Sequence, residues 1–93
     1  MADVRVTCIT KPQPLSQHEH ITHLGNPATS WKWTTEQVIT SIDSGTNRFF
    51  VLDDRTGKRS DVAVVRPTGR RPYLRTHADG VWNDNLLSLN QCP

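Results

Sequence analysis

Two apolar runs, Arg48-Phe49-Phe50-Val51-Leu52-Asp53 and Asp61-Val62-Ala63-Val64-Val65-Arg66, flank Asp54-Arg55-Thr56-Gly57, and this spacing constrains the fold more than any other feature of the chain. Short runs rich in β-branched and aromatic residues and bounded by turn formers read as strands. A link this short leaves no room for the helical crossover that a parallel pair needs. The two runs therefore predict an antiparallel hairpin, with Gly57 in the left-handed position of its turn. Tyr73-Leu74-Arg75-Thr76-His77 extends the pattern beyond the Pro67-Thr68-Gly69 loop, and Asp79-Gly80 turns it toward Val81 and Trp82 in a second hairpin. Phe49 to Leu52 is apolar on both faces, which suits a central strand or one covered by a partner or by the C-terminal tail.

The N-terminal half supplies the remaining elements. Val4 to Thr10 alternates, with Val4, Val6 and Cys8 on one face, and reads as a strand that Pro12 and Pro14 end by removing backbone donors. Glu19 to Leu24 reads as a second short strand before Gly25-Asn26-Pro27 turns the chain. Thr34 and Gln37 have the spacing of a capping box, Trp33 and Val38 that of a hydrophobic staple, and Gly45 that of a C-terminal stop. The helix between them is too short to stand alone and must lie on a sheet. The expected architecture is a single α+β domain over residues 1–93: an antiparallel β-sheet of about five short strands in β-β-α-β-β-β order, with one helix packed across it. Asn85-Leu86-Leu87-Ser88-Leu89 is apolar enough to dock on that domain.

Composition limits what such a domain can do. Val, Leu, Ile and Phe make up 21 of 93 residues, above the roughly 20% below which a charged chain stays disordered. The core is thin, and a domain this small buries only about 60% of the surface of its unfolded chain, which leaves room for support from a dimer, a metal or a partner. No apolar run is long enough to span a membrane. The first residues lack the basic and then apolar pattern of a secretory signal, so the cytoplasm is the expected compartment and Cys8 and Cys92 are expected as free thiols. Net charge is +2, with residues 1–47 carrying 3 basic and 4 acidic groups and residues 48–93 carrying 8 and 5. An electrostatic partner, nucleic acid or protein, would have to be met by a local patch.

Two clusters carry chemistry. Trp31, with Arg70, Arg71, Tyr73 and Arg75, joins aromatic planes to guanidinium groups, the combination that binds single-stranded nucleic acid; the plainer use of the tryptophans is packing. His18 and His20 would share one face of a strand, and Cys8, His77 or Cys92 are the residues that would complete a zinc or other transition-metal site with them. Neither a Cys-x-x-Cys pair nor a His-Glu-x-x-His spacing is present, and surface histidines are the plainer reading. No serine has a motif around it and no Gly-rich phosphate cradle exists, so no catalytic residue is nominated. The leading expectation is a non-catalytic binding or interaction module; a metal-binding domain and a ligand-free homodimer joined through apolar sheet surface are the alternatives.

The run from Tyr73 to Leu89, with Cys92 shortly after, resembles the signature of DUF3892, a family of small bacterial domains of unknown function. His18-Glu19-His20-Ile21, Glu36-Gln37-Val38-Ile39, Gly45 and Phe49-Phe50-Val51 resemble it in order and spacing, so the likeness covers nearly the whole chain. Asn90 departs from it where a proline after the last leucine would be expected. The resemblance implies a bacterial origin and a stand-alone domain, and assigns no residue a role.

Overall fold

A computed structural model describes residues 2–13, 17–53 and 55–92. Among the described residues nine strands form two sheets around one α-helix. In chain order they are β1 (Ala2–Arg5), β2 (Cys8–Thr10), β3 (His23–Asn26), β4 (Trp31–Thr34), α1 (Thr35–Asp43), β5 (Asn47–Leu52), β6 (Arg59–Val65), β7 (Tyr73–Ala78), β8 (Val81–Asn83) and β9 (Asn90–Gln91). The larger sheet runs β1-β5-β6-β7-β8 and the smaller β4-β3-β2-β9. The α+β class is as expected, but one wholly antiparallel sheet is not: β1 pairs with β5, and β2 with β9, in parallel.

The expected strand from Val4 to Thr10 is in fact two, because the chain changes sheets in its middle. The Val6 amide donates to the Phe50 carbonyl of the larger sheet, and the Thr7 amide donates to the Gly25 carbonyl of the smaller. Val6 itself is 1% exposed between them. The expected strand from Glu19 to Leu24 also divides: His18–His20 forms a 3₁₀ turn, and the strand begins only at His23. Gly25 lies inside that strand rather than in a turn, since a Cβ there would come 2.8 Å from the Trp31 carbonyl oxygen of β4. Asn26 makes the turn instead, its side chain accepting from the Ala28 amide to cap a 3₁₀ turn at Pro27–Thr29. That turn folds β4 back on β3, so Trp31 and Trp33 stand on a strand and not merely ahead of the helix.

Signals carried by neighbouring residues hold. Thr34 accepts from the Gln37 amide at 3.2 Å while its own amide donates to the Gln37 side chain at 2.8 Å, which completes the capping box. Gly45 is left-handed. Asp53 and Lys58 close the first hairpin, although Asp54 lies outside the described residues. Asp79 and Gly80, both with positive φ, join Ala78 to its partner Val81, the geometry of a type I′ turn. The core is built from Val6, Ile9, Leu24, Val38, Phe49, Val51, Val62, Leu74 and Leu86. No helix among the described residues is long and apolar enough to cross a membrane.

The C-terminal tail docks through a buried polar lock. Thr76 Oγ1 donates to Asn83 Oδ1 at 2.6 Å, Asn83 Nδ2 donates to Ser60 Oγ at 3.1 Å, and Asn85 Nδ2 donates to the same oxygen at 3.0 Å. The Leu86 amide donates to Thr76 Oγ1, which seats the Leu86 side chain, wholly buried, in the core. Beyond it the chain reaches β2, where Cys92 forms a disulfide with Cys8 across a Cα separation of 4.9 Å. This overturns the expectation of free thiols, because residues 84 positions apart are brought together by a parallel strand pair that no local pattern announces.

Two stability predictions follow from these ties. Closing nearly the whole chain into one loop is worth about 4–5 kcal/mol in the chain-entropy account, so reduction should lower the midpoint of thermal unfolding by more than about 10 °C; an unchanged midpoint in a calorimeter would mean the bond contributes nothing. Asn83→Ala should destabilise the fold by roughly 1–3 kcal/mol in urea titration, because it removes one hydrogen bond from each of the buried Thr76 and Ser60 hydroxyls, whereas a surface change such as Thr68→Ala should cost under about 0.5 kcal/mol.

Candidate functional site

Alternation along the strands divides the larger sheet into a covered and an open face. Phe49, Val51, Ser60, Val62, Leu74 and Thr76 are buried beneath it. The residues between them point the other way, and the register aligns one from each strand into a row: Arg5 opposite Phe50, Phe50 opposite Asp61, Asp61 opposite His77, and His77 opposite Trp82. None of the five is buried, and Trp82 is 46% exposed. Arg48, Arg59, Tyr73 and Arg75 share this face, by the same alternation. It therefore presents four arginines and four aromatic or imidazole rings against two carboxylates, Asp3 and Asp61.

The rings and charges are organised. The Arg59 guanidinium lies 4.3 Å from the Phe50 ring centroid and is held there by Asp3 at 3.1 Å and Asp61 at 3.0 Å. These bonds stabilise its charged form and raise its pKa further above an already high value. Arg75 lies 5.9 Å from the Trp82 ring centroid and donates to Asp84 at 3.3 Å. The His77 ring meets Trp82 edge-on at 5.5 Å. The Arg48 side chain makes no hydrogen bond or ion pair with the described residues. The outcome is a set of ring surfaces with cations beside them.

The nominated residues are dispersed by the fold. Tyr73 and Arg75 stand on the open face as strand alternation predicts. Trp31 does not join them: it is half-buried on the smaller sheet, packed against Phe49 at 5.8 Å and Trp33 at 5.9 Å. Arg70 and Arg71 line a cleft of about 830 Å³ with Glu19, His20, His23 and Tyr73, and Arg70 is paired there with Glu19 at 3.2 Å. Phe50, Trp82, Arg48 and Arg59 were missed as site residues. Alternation within 48–52 separates Phe50 from Phe49, but only the register across the sheet joins it to Trp82.

The metal set does not assemble as one group. Cys8 and Cys92 are bonded to each other, and His77 stands beside Trp82 on the open face. His20 lies on the 3₁₀ turn, where its Nδ1 accepts from the Gln17 amide. Among the described residues no three His, Cys, Asp or Glu side chains lie where they could hold one metal ion.

His18 has a different setting. Its side chain is only 11% exposed, with Nε2 3.6 Å from Asp84 and the Tyr73 ring at 6.4 Å. Burial lowers its pKa below the ordinary 6.5; Asp84 opposes that shift, and Arg75 and Lys11 add to it. Below that ordinary value the folded protein thus binds fewer protons here than the unfolded chain, and stability declines as pH falls. His18→Asn should flatten this decline in urea titrations below the ordinary value of 6.5; an equally steep decline would place its origin elsewhere.

A family model described as a protein of unknown function (DUF3892) matches residues 5–90. No curated protein and no solved structure matches the chain.

Proposed function

The chain belongs to the DUF3892 family, whose function is unknown, and from the geometry of its open face we propose that it is a non-catalytic module that binds single-stranded nucleic acid across the larger sheet. The observation that carries this reading is the row from Arg5 through Phe50, Asp61 and His77 to Trp82. Bases stack on exposed aromatic faces whatever their sequence, while arginines beside them meet the phosphates. Trp82 is the primary stacking surface, being the most exposed of the rings. Phe50 becomes available when Arg59 swings from its ring to a phosphate, an exchange of one charge-assisted contact for another. Arg48, Arg75 and Arg5 supply the remaining cationic contacts. The carboxylates of Asp3 and Asp61 limit affinity and favour a strand threaded between them over a rigid duplex.

This reading differs from the expectation in where the aromatic contribution comes from. Trp31 supports the core, and the tryptophan that serves the partner is Trp82. As to compartment, the disulfide favours an oxidising one over the cytoplasm.

Fluorescence anisotropy with a labelled oligouridylate and an oligothymidylate over a salt series tests the proposal. Three to four arginine–phosphate contacts predict a slope of log K against log salt near −2 to −3. Trp82→Ala should weaken binding about 5- to 100-fold, the worth of one stacked base, and Trp33→Ala, on the other sheet, should leave it unchanged. Absence of binding at low salt, or binding indifferent to Trp82, would refute the reading and leave a protein partner as the occupant of this face.

A further inference from the structure

The last strand is held in place by few contacts. Asn90 and Gln91 pair with Cys8 and Ile9, the Cys92 amide donates to the Ile9 carbonyl at 2.8 Å, and the Gln91 side chain donates to the Lys11 carbonyl at 2.9 Å. Asn90 and Gln91 are exposed, and among the described residues no further strand lies outside them. Six residues upstream the chain is fixed, because Leu86 is wholly buried and its amide is tied to Thr76. The segment is thus a short arm, anchored at one end by Leu86 in the core and at the other by one covalent bond, with Leu87 and Leu89 packed against the core and Lys11 bonded to Leu87 and Gln91 along its length.

The two sulfurs of that bond differ in access. Cys8 is 5% exposed beneath the strand, while Cys92 is only half-buried. A small thiolate reaches Cys92 more easily, and attack there forms a mixed disulfide at Cys92 and releases Cys8 as the thiolate. The arm then leaves, and the β2 edge loses its partner. Unpaired, that edge presents the backbone groups to which residues 90–92 are already matched, so its best occupant is the same segment of another copy.

We propose that the Cys8–Cys92 clasp is exchangeable between chains: a small thiol opens it, residues 87–92 swing out, and two copies trade these arms, each Cys8 bonding to the other copy's Cys92. The second step balances the first. Cys8 thiolate of one copy attacks the Cys92 sulfur of the other and expels the small thiolate, so the thiol is regenerated and no net oxidation occurs. An arm of six residues extends at most about 20 Å, which requires the two β2 edges to lie close together about a twofold axis.

Mixing unlabelled and ¹⁵N-labelled protein at high concentration with a small amount of glutathione tests the proposal. Non-reducing electrophoresis should show a covalent species at twice the 10.5 kDa of one chain, and mass spectrometry should find peptides joining Cys8 of one isotope to Cys92 of the other. Without thiol the chains should remain monomeric and isotopically unmixed. Chains that stay unmixed although glutathione attaches to Cys92 would overturn the proposal, as would dimers in which Cys8–Cys8 and Cys92–Cys92 pairs appear in statistical shares. The Cys8→Ser variant carrying glutathione as a mixed disulfide on Cys92, mixed with the Cys92→Ser variant, should form the Cys8–Cys92 heterodimer with release of glutathione, in preference to either homodimer. If these variants fail to fold, the isotope experiment on the wild-type protein decides alone.

Discussion

The buried contact among Ser60, Thr76, Asn83 and Asn85 is the constraint on which the rest of the molecule depends. It joins three strands of the larger sheet to the tail, and it fixes the point from which the tail departs for the smaller sheet. Amide and hydroxyl groups at this depth are costly unless each finds a partner. Here they satisfy one another in one arrangement, and that arrangement places Leu86 in the core. The tail can then reach β2, and only then can Cys92 meet Cys8. A purely apolar tail would have gained more from burial but would have had no single register in which to dock.

The same economy shapes the two sheets. With so few large apolar residues, the chain cannot cover both faces of the larger sheet. One face takes α1 and the smaller sheet, and the other is left to arginines and rings that tolerate water. Phe50 is the instructive residue: it is a large apolar side chain on the open face, shielded by a guanidinium that two carboxylates hold over it. In the proposed function a ligand's contacts replace this shielding.

How much of this was legible in the sequence depended on the distance between the residues concerned. The capping box at Thr34 and Gln37, the stop at Gly45 and the turn at Asp79-Gly80 are decided within a few residues, and each appears where the pattern puts it. The parallel pairs β1–β5 and β2–β9 join segments far apart and have no local signature, so the second sheet and the disulfide were hidden together. Tyr73 and Arg75 were readable as neighbours because they alternate on one strand. Trp82 and Phe50 lie on strands separated by two others, and only the register brings them into one row. Thr76, Asn83, Asn85 and Leu86, all within the run 73–89, build the lock together with Ser60 from a distant strand.

The central claim, that the open face of the larger sheet is where a nucleic-acid strand binds, is tested most directly by ¹⁵N NMR titration with a short oligouridylate. The account predicts shifts confined to Arg5, Arg48, Phe50, Arg59, Arg75, His77 and Trp82 and their neighbours on that face, including the Trp82 indole signal, with the Trp31 indole unmoved. Shifts centred instead on the cleft of Arg70 and Arg71, or on the smaller sheet, would contradict it.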